Sequence, residues 1–152
     1  MSKLNVDQKA IIDLLSDKKA DFLIPDYQRP YAWSEEQCQT LWDDIFLFSF
    51  PDNNYEAFDD NEEYFLGSIV TYKNENGKSE VIDGQQRLTT LMLILRAFYD
   101  KFESMKDKNS ILTRDRIEKC IWKTDTFGTA DKNTLKIDSE VATDNDKDEF
   151  LD

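Results

Sequence analysis

Val81-Ile82-Asp83-Gly84-Gln85-Gln86-Arg87-Leu88-Thr89-Thr90-Leu91 marks the point where the apolar period of this chain changes. Upstream, Tyr64 to Tyr72 is β-rich and Ser79 to Ile82 reads as a second short strand, with Asn76-Gly77 between them as a hairpin turn. Downstream, Leu88, Leu91, Met92, Leu95, Phe98, Phe102 and Met105 recur at helical spacing. Leu93, Ile94 and Ala97 add a second apolar side, which predicts a central helix covered on both flanks.

A strand-to-helix junction also has a chemical consequence. The first backbone N–H groups of a helix lack intrahelical partners and lie at the positive end of its dipole, which favours an anion. Gly84 allows a ligand or another chain segment to approach the backbone closely. Gln85, Gln86, Arg87 and the hydroxyls of Thr89 and Thr90 add donors around the same point. A plainer reading makes Asp83 the N-cap, with Gln86 returning the hydrogen bond. That accounts for Asp83 and Gln86 and leaves Gln85 and Arg87 unexplained.

Magnitude limits what the junction can do alone. Micromolar affinity requires roughly 8 kcal/mol. A helix terminus offers an exposed anion only about 0.3–1 kcal/mol. A phosphate site here therefore needs charge-assisted donors, and a second arginine lies in the other distinctive segment of the chain.

That segment is Ile24-Pro25-Asp26-Tyr27-Gln28-Arg29-Pro30-Tyr31-Ala32-Trp33. Prolines restrict the backbone at both ends, and Arg29 is the only cation between Ala20 and Tyr72. An arginine presented among aromatics suits an anionic group beside a planar one. The alternative is a structural ion pair at Arg29 with the aromatics filling core. The functional reading carries a geometric demand: Arg29 and Arg87 must share one anion pocket.

Elsewhere, Val6 to Leu15 reads as a short amphipathic helix and Asp21 to Ile24 as a strand stopped by Pro25. Ser34-Glu35-Glu36-Gln37 has the form of a capping box, opening a helix that would bury Cys38, Leu41, Trp42 and Ile45 before Pro51. Asp52 to Glu63 reads as an acidic surface loop, Ile111 to Trp122 as a helix and Leu135 to Ile137 as a strand. Residues 1–140 are read as one domain, and 141–152 as the start of a truncated following segment.

The chain has 152 residues, two cysteines, no histidine and a formal net charge of −13. That length suits one core-bearing domain. The charge argues against holding nucleic acid through phosphates, and the missing histidine excludes a Cys/His zinc site and an HNH-type nuclease centre. No apolar run reaches membrane-spanning length, Cys38 and Cys120 have no CxxC partner, and a reducing cytoplasm is the expected location.

Together the Ile24–Trp33 and Asp83–Leu91 motifs resemble the DGQQR-motif domain at the N-terminus of GmrSD-type, modification-dependent restriction endonucleases. Tyr64 to Val70, containing Phe65-Leu66-Gly67-Ser68-Ile69, fits the segment that precedes the second motif in that family. The resemblance implies an α+β, ParB/sulfiredoxin-like fold: a small, mostly antiparallel sheet packed against a long central helix. It implies a nucleotide site with NTP binding and hydrolysis and Mg²⁺ as the companion ion.

By carry-over, Gln85, Gln86 and Arg87 would contact phosphates, with Gly84 and Thr89 beside them. Asp83 would activate water or hold the metal, making Asp83 and Arg87 the catalytic pair. Gln28 and Arg29 would complete the pocket, and Tyr31 would pack near the base. In full-length relatives an HNH nuclease domain usually follows. DNA is therefore expected as a partner of the full-length protein only, and nuclease activity is not carried over to this segment. Two readings stand beside NTP hydrolysis: a nucleotide-gated module without turnover, and a phosphotransferase, which rests on fold analogy alone.

Overall fold

The computed structural model describes residues 6–25, 32–59 and 61–139. Helix α1 spans Ile11–Ser16, shorter than the Val6 to Leu15 expectation, and Val6 is 87% exposed. Its N-cap position holds Ala10, which makes no side-chain capping bond, so nothing anchors an earlier start. Strand β1 follows at Phe22–Ile24 with all three residues buried.

Helix α2 runs Glu35–Ser49 and begins with the expected capping box. The Ser34 side chain accepts from the Gln37 N–H, and the Gln37 side chain accepts from the Ser34 N–H. Of its apolar residues only Leu41 is buried; Cys38, Trp42 and Ile45 are half-buried, against expectation. The helix touches the body chiefly by its flank, with Trp42 against Phe98 at 5.7 Å between ring centroids.

The Asp52 to Glu63 stretch is exposed wherever it is described, and carries 3₁₀ turns at Pro51–Asn53 and Tyr55–Ala57. The strand expected over Tyr64 to Tyr72 shrinks to β2, Val70–Lys73. Residues 62–69 stay irregular because Gly67 adopts φ +111°, which an extended strand does not allow, and turns the chain toward the second motif.

Strand β3, Ser79–Asp83, pairs antiparallel with β2. The turn between them is built by Asn74, whose Oδ1 accepts from the N–H groups of Asn76 and Lys78, and by Gly77 at φ +80°. Helix α3 spans Gln85–Glu103 and α4 spans Lys108–Ile121, the latter capped by the Asp107 side chain on the Ser110 N–H. Strand β4 (Trp122–Thr124) was not foreseen, and pairs antiparallel with β5 (Ala130–Leu135). Strand β6 (Ile137–Ser139) closes the described chain.

The main sheet has the order β2-β3-β1-β6. Strand β1 runs parallel to both β3 and β6, and only the β2–β3 pair is antiparallel. The sheet is therefore mixed rather than mostly antiparallel. A strand of three residues can hold this middle position because its side chains are buried and its neighbours pair on either side.

The core beneath it joins Leu15, Phe22, Ile24, Val81, Leu88, Met92, Cys120 and Ile137. A second cluster packs Tyr99, Ile117, Ile121 and Trp122 along the α3–α4 contact. Helix α3 thus buries one stripe. Leu93 and Ala97 on its other side are exposed, so it is covered on one flank and not on both.

Lys136, between β5 and β6, is fully buried, and its Nζ donates to the carbonyls of Leu15 at 2.7 Å and Asp17 at 3.0 Å. It satisfies orphan carbonyls at the end of α1, where a cation also suits the helix dipole. Burial lowers its pKa from the ordinary lysine value, while the neighbouring Cys120 and Asp17 pull it back up.

Candidate functional site

Gly84 is the N-cap of α3, in a left-handed backbone conformation with φ 89° and ψ 10°, and no side chain caps the helix there. The plainer reading of the motif, with Asp83 as the capping residue, does not hold. Asp83 is the last residue of β3 and is exposed. The close approach that Gly84 permits is taken up by the chain itself: a Cβ at this position would lie 3.0 Å from the Ser68 carbonyl oxygen and 3.3 Å from Ile69 Cα. The helix start is therefore pressed against the segment that leads into β2.

Arg87 lies on the same segment. A Cβ at Gly67 would stand 2.5 Å from Arg87 Nη1 and 2.6 Å from its Cζ, so the guanidinium occupies space that only glycine leaves open. Its Nη1 reaches the Ser68 carbonyl at 3.4 Å, a long bond that leaves most of the fork's donor capacity to other partners. Arg87 is half-exposed. Residues 65–68 were read as strand, so this seat was missed; the unusual Leu66-Gly67-Ser68 step beside β-branched residues was the available signal.

Gln86 points inward and is buried, and its Oε1 accepts the backbone N–H of Ala32 at 2.8 Å. Its own carbonyl accepts from the Thr90 hydroxyl at 2.8 Å. Thr89 is buried as well, at 7% exposure. Among the described residues the motif therefore divides. Gln86, Thr89 and Thr90 are directed into the protein, whereas Asp83, Gly84, Gln85 and Arg87 lie at or near the surface. Gln28, Arg29 and Tyr31 fall outside the described residues, and so does the required meeting of Arg29 with Arg87. The described flanks of that segment are Pro25, buried at the end of β1, and Ala32, bound to Gln86.

The profile described as GmrSD restriction endonuclease, N-terminal domain, matches residues 11–152. The chain belongs to this family. The match takes in both motifs and every described strand of the main sheet, and it supplies the restriction-type context that the resemblance implied. A search of curated proteins found no match.

With the family in place, the observed architecture is α+β, a small mixed sheet with helices packed on it. Among the described residues no helix is long and apolar enough to cross a membrane. No group of three or more cysteine, aspartate or glutamate side chains is placed to hold a metal ion among them either.

Proposed function

We propose that this GmrSD N-terminal domain binds the phosphates of a nucleoside triphosphate at the start of α3. The observation that carries the reading is the Ala32–Gln86 hydrogen bond, which brings the end of the proline-bracketed loop to the first turn of α3 beside Arg87. A helix N-terminus with an accessible guanidinium, met by the residue that follows the proline-bracketed segment, gives an anion both dipole and charge-assisted donors. Gly84 and Gln85 line the approach and Arg87 supplies the fork; Gln28, Arg29 and Tyr31, outside the described residues, would complete the pocket. Gln86 and Thr89 serve the site from beneath.

Hydrolysis at such a site rests on positioning and charge stabilisation. Asp83 offers one exposed carboxylate, which fits Mg²⁺ carried in on the phosphates: that ion takes one or two protein carboxylates and keeps several waters. Asp83 would hold it or orient the attacking water. The small mixed sheet with a site at a strand-to-helix junction fits a ParB/sulfiredoxin-like fold. DNA is reached through the full-length protein, since a chain with net charge −13 repels phosphates at a distance.

Isothermal titration of ATP, GTP, CTP and UTP with and without Mg²⁺, alongside Arg87→Ala, tests the reading. Binding by the wild type that Arg87→Ala weakens at least about tenfold is expected; absence of binding under every condition overturns it. A nucleotide-gated module without turnover is the second reading of the same site. It is distinguished by binding with no release of inorganic phosphate.

A further inference from the structure

Between Ala32 and Tyr72 the chain carries ten acidic residues and neither lysine nor arginine. The same stretch holds a continuous run of aromatic rings. Trp42 meets Phe46 at 6.1 Å between centroids, Phe46 meets Phe50 at 5.3 Å, and Phe50 meets Tyr55 at 5.1 Å and Phe58 at 6.0 Å. The outer members are open to solvent, Tyr55 at 71% and Phe58 at 56%. The run is held by unusual backbone: Asp52 and Asn53 both adopt left-handed φ values, 56° and 58°, and bend the chain so that Tyr55 and Phe58 fold back on Phe50. A chain that needed only a polar loop would not keep exposed rings in edge-on and tilted contact in this way.

We propose that this aromatic face is a docking surface for a basic, amphipathic protein segment, one whose leucine-like side chains cover the rings while its arginines or lysines meet the acidic rim. The charge selects among occupants. Asp52, Glu56 and Asp59, interleaved in sequence with Phe50, Tyr55 and Phe58, are all exposed. Anionic lipid headgroups and nucleic-acid phosphates would be repelled by such a rim, and a second copy of this chain would bring the same acids against themselves. A cationic helix gains twice, by covering apolar rings and by placing guanidinium groups over their faces. The surface is independent of the nucleotide reading.

The test is fluorescence anisotropy with a dye-labelled synthetic amphipathic helix of leucine and arginine, compared with a leucine/glutamate helix and an arginine/glutamine helix. Binding of the first alone is expected, weakened at least about tenfold in the Tyr55→Ala/Phe58→Ala double variant, whose net charge is unchanged. Because those side chains are exposed, the fold is expected to persist, as far-ultraviolet circular dichroism would register. Glu56→Lys/Asp59→Lys, with both rings intact, provides the second arm and is expected to weaken binding as well. Equal affinity for the arginine/glutamine helix, absence of binding by the leucine/arginine helix, or indifference to both double variants would overturn the proposal. So would sedimentation showing a dimer that the Tyr55→Ala/Phe58→Ala change dissociates.

Discussion

The backbone N–H of Ala32 donates to Gln86 Oε1 across 54 residues of sequence, at 2.8 Å. Ala32, the residue that follows Tyr31 in sequence, is thereby fixed to the helix that carries Arg87. The second glutamine of the motif is a strut, and its loss should be felt in stability.

Replacing Gln86 by leucine keeps the bulk and removes the acceptor from a buried site. Because Ala32 is itself exposed, its freed N–H can be hydrated, and the loss should be about 0.5–1.5 kcal/mol, read by urea denaturation at constant m-value. A stability unchanged within error would show that the bond contributes nothing.

Arg87 makes one long hydrogen bond among the described residues, so Arg87→Ala should alter stability by less than about 0.5 kcal/mol. Nucleotide affinity should fall at least about tenfold, as expected when a charge-assisted pair is removed. Arg87→Lys should recover only part of it, because an ammonium lacks the planar fork. Calorimetry of the three proteins checks the order.

At Gly67 an alanine must adopt φ near +111° and place its Cβ where the Arg87 guanidinium lies. The backbone term should cost about 1–3 kcal/mol, and the guanidinium must leave its seat. Gly67→Ala should therefore weaken nucleotide binding, and the double variant with Arg87→Ala should be no weaker than Arg87→Ala alone. Additive losses in that double-mutant cycle would separate the two residues.

Lys136 is buried with its pKa lowered, so between that lowered value and the ordinary 10.5 the unfolded chain binds more protons than the folded one. Stability should rise with pH through this window. Burial raises the Cys120 pKa above 9.0, which acts in the opposite sense above that pH. In a Cys120→Ala background, the stability difference between Lys136 and Lys136→Met should widen as the solution is made alkaline. At neutral pH the methionine variant should lose about 1–3 kcal/mol, since the Leu15 and Asp17 carbonyls lose their donor. A difference that shrinks on going alkaline would contradict the assignment.

Local signals were legible where one residue decides the conformation. Asn76-Gly77 announced the hairpin, Ser34 and Gln37 the start of α2, and the Leu88–Met92 stripe the helix that forms the core. Pairing partners were not legible. Nothing in Phe22–Ile24 specifies that it lies between β3 and β6, because parallel register is set by side chains distant in sequence. The buried role of Lys136 was equally hidden: a lysine beside a short strand is ordinarily solvated, and here helix-end carbonyls recruit it. At the candidate site the division between inward Gln86 and outward Arg87 was not legible, because it depends on helix phase relative to the sheet.

The middle position of β1 also sets an order of events during synthesis. Its parallel neighbours are supplied by residues 79–83 and 137–139, so a nascent polypeptide that has emerged only through α3 already carries both motifs and still lacks one of the two edges that grip the strand leading into the first. On the ribosome, the loop would gain its full anchorage only when the last of these strands clears the exit tunnel.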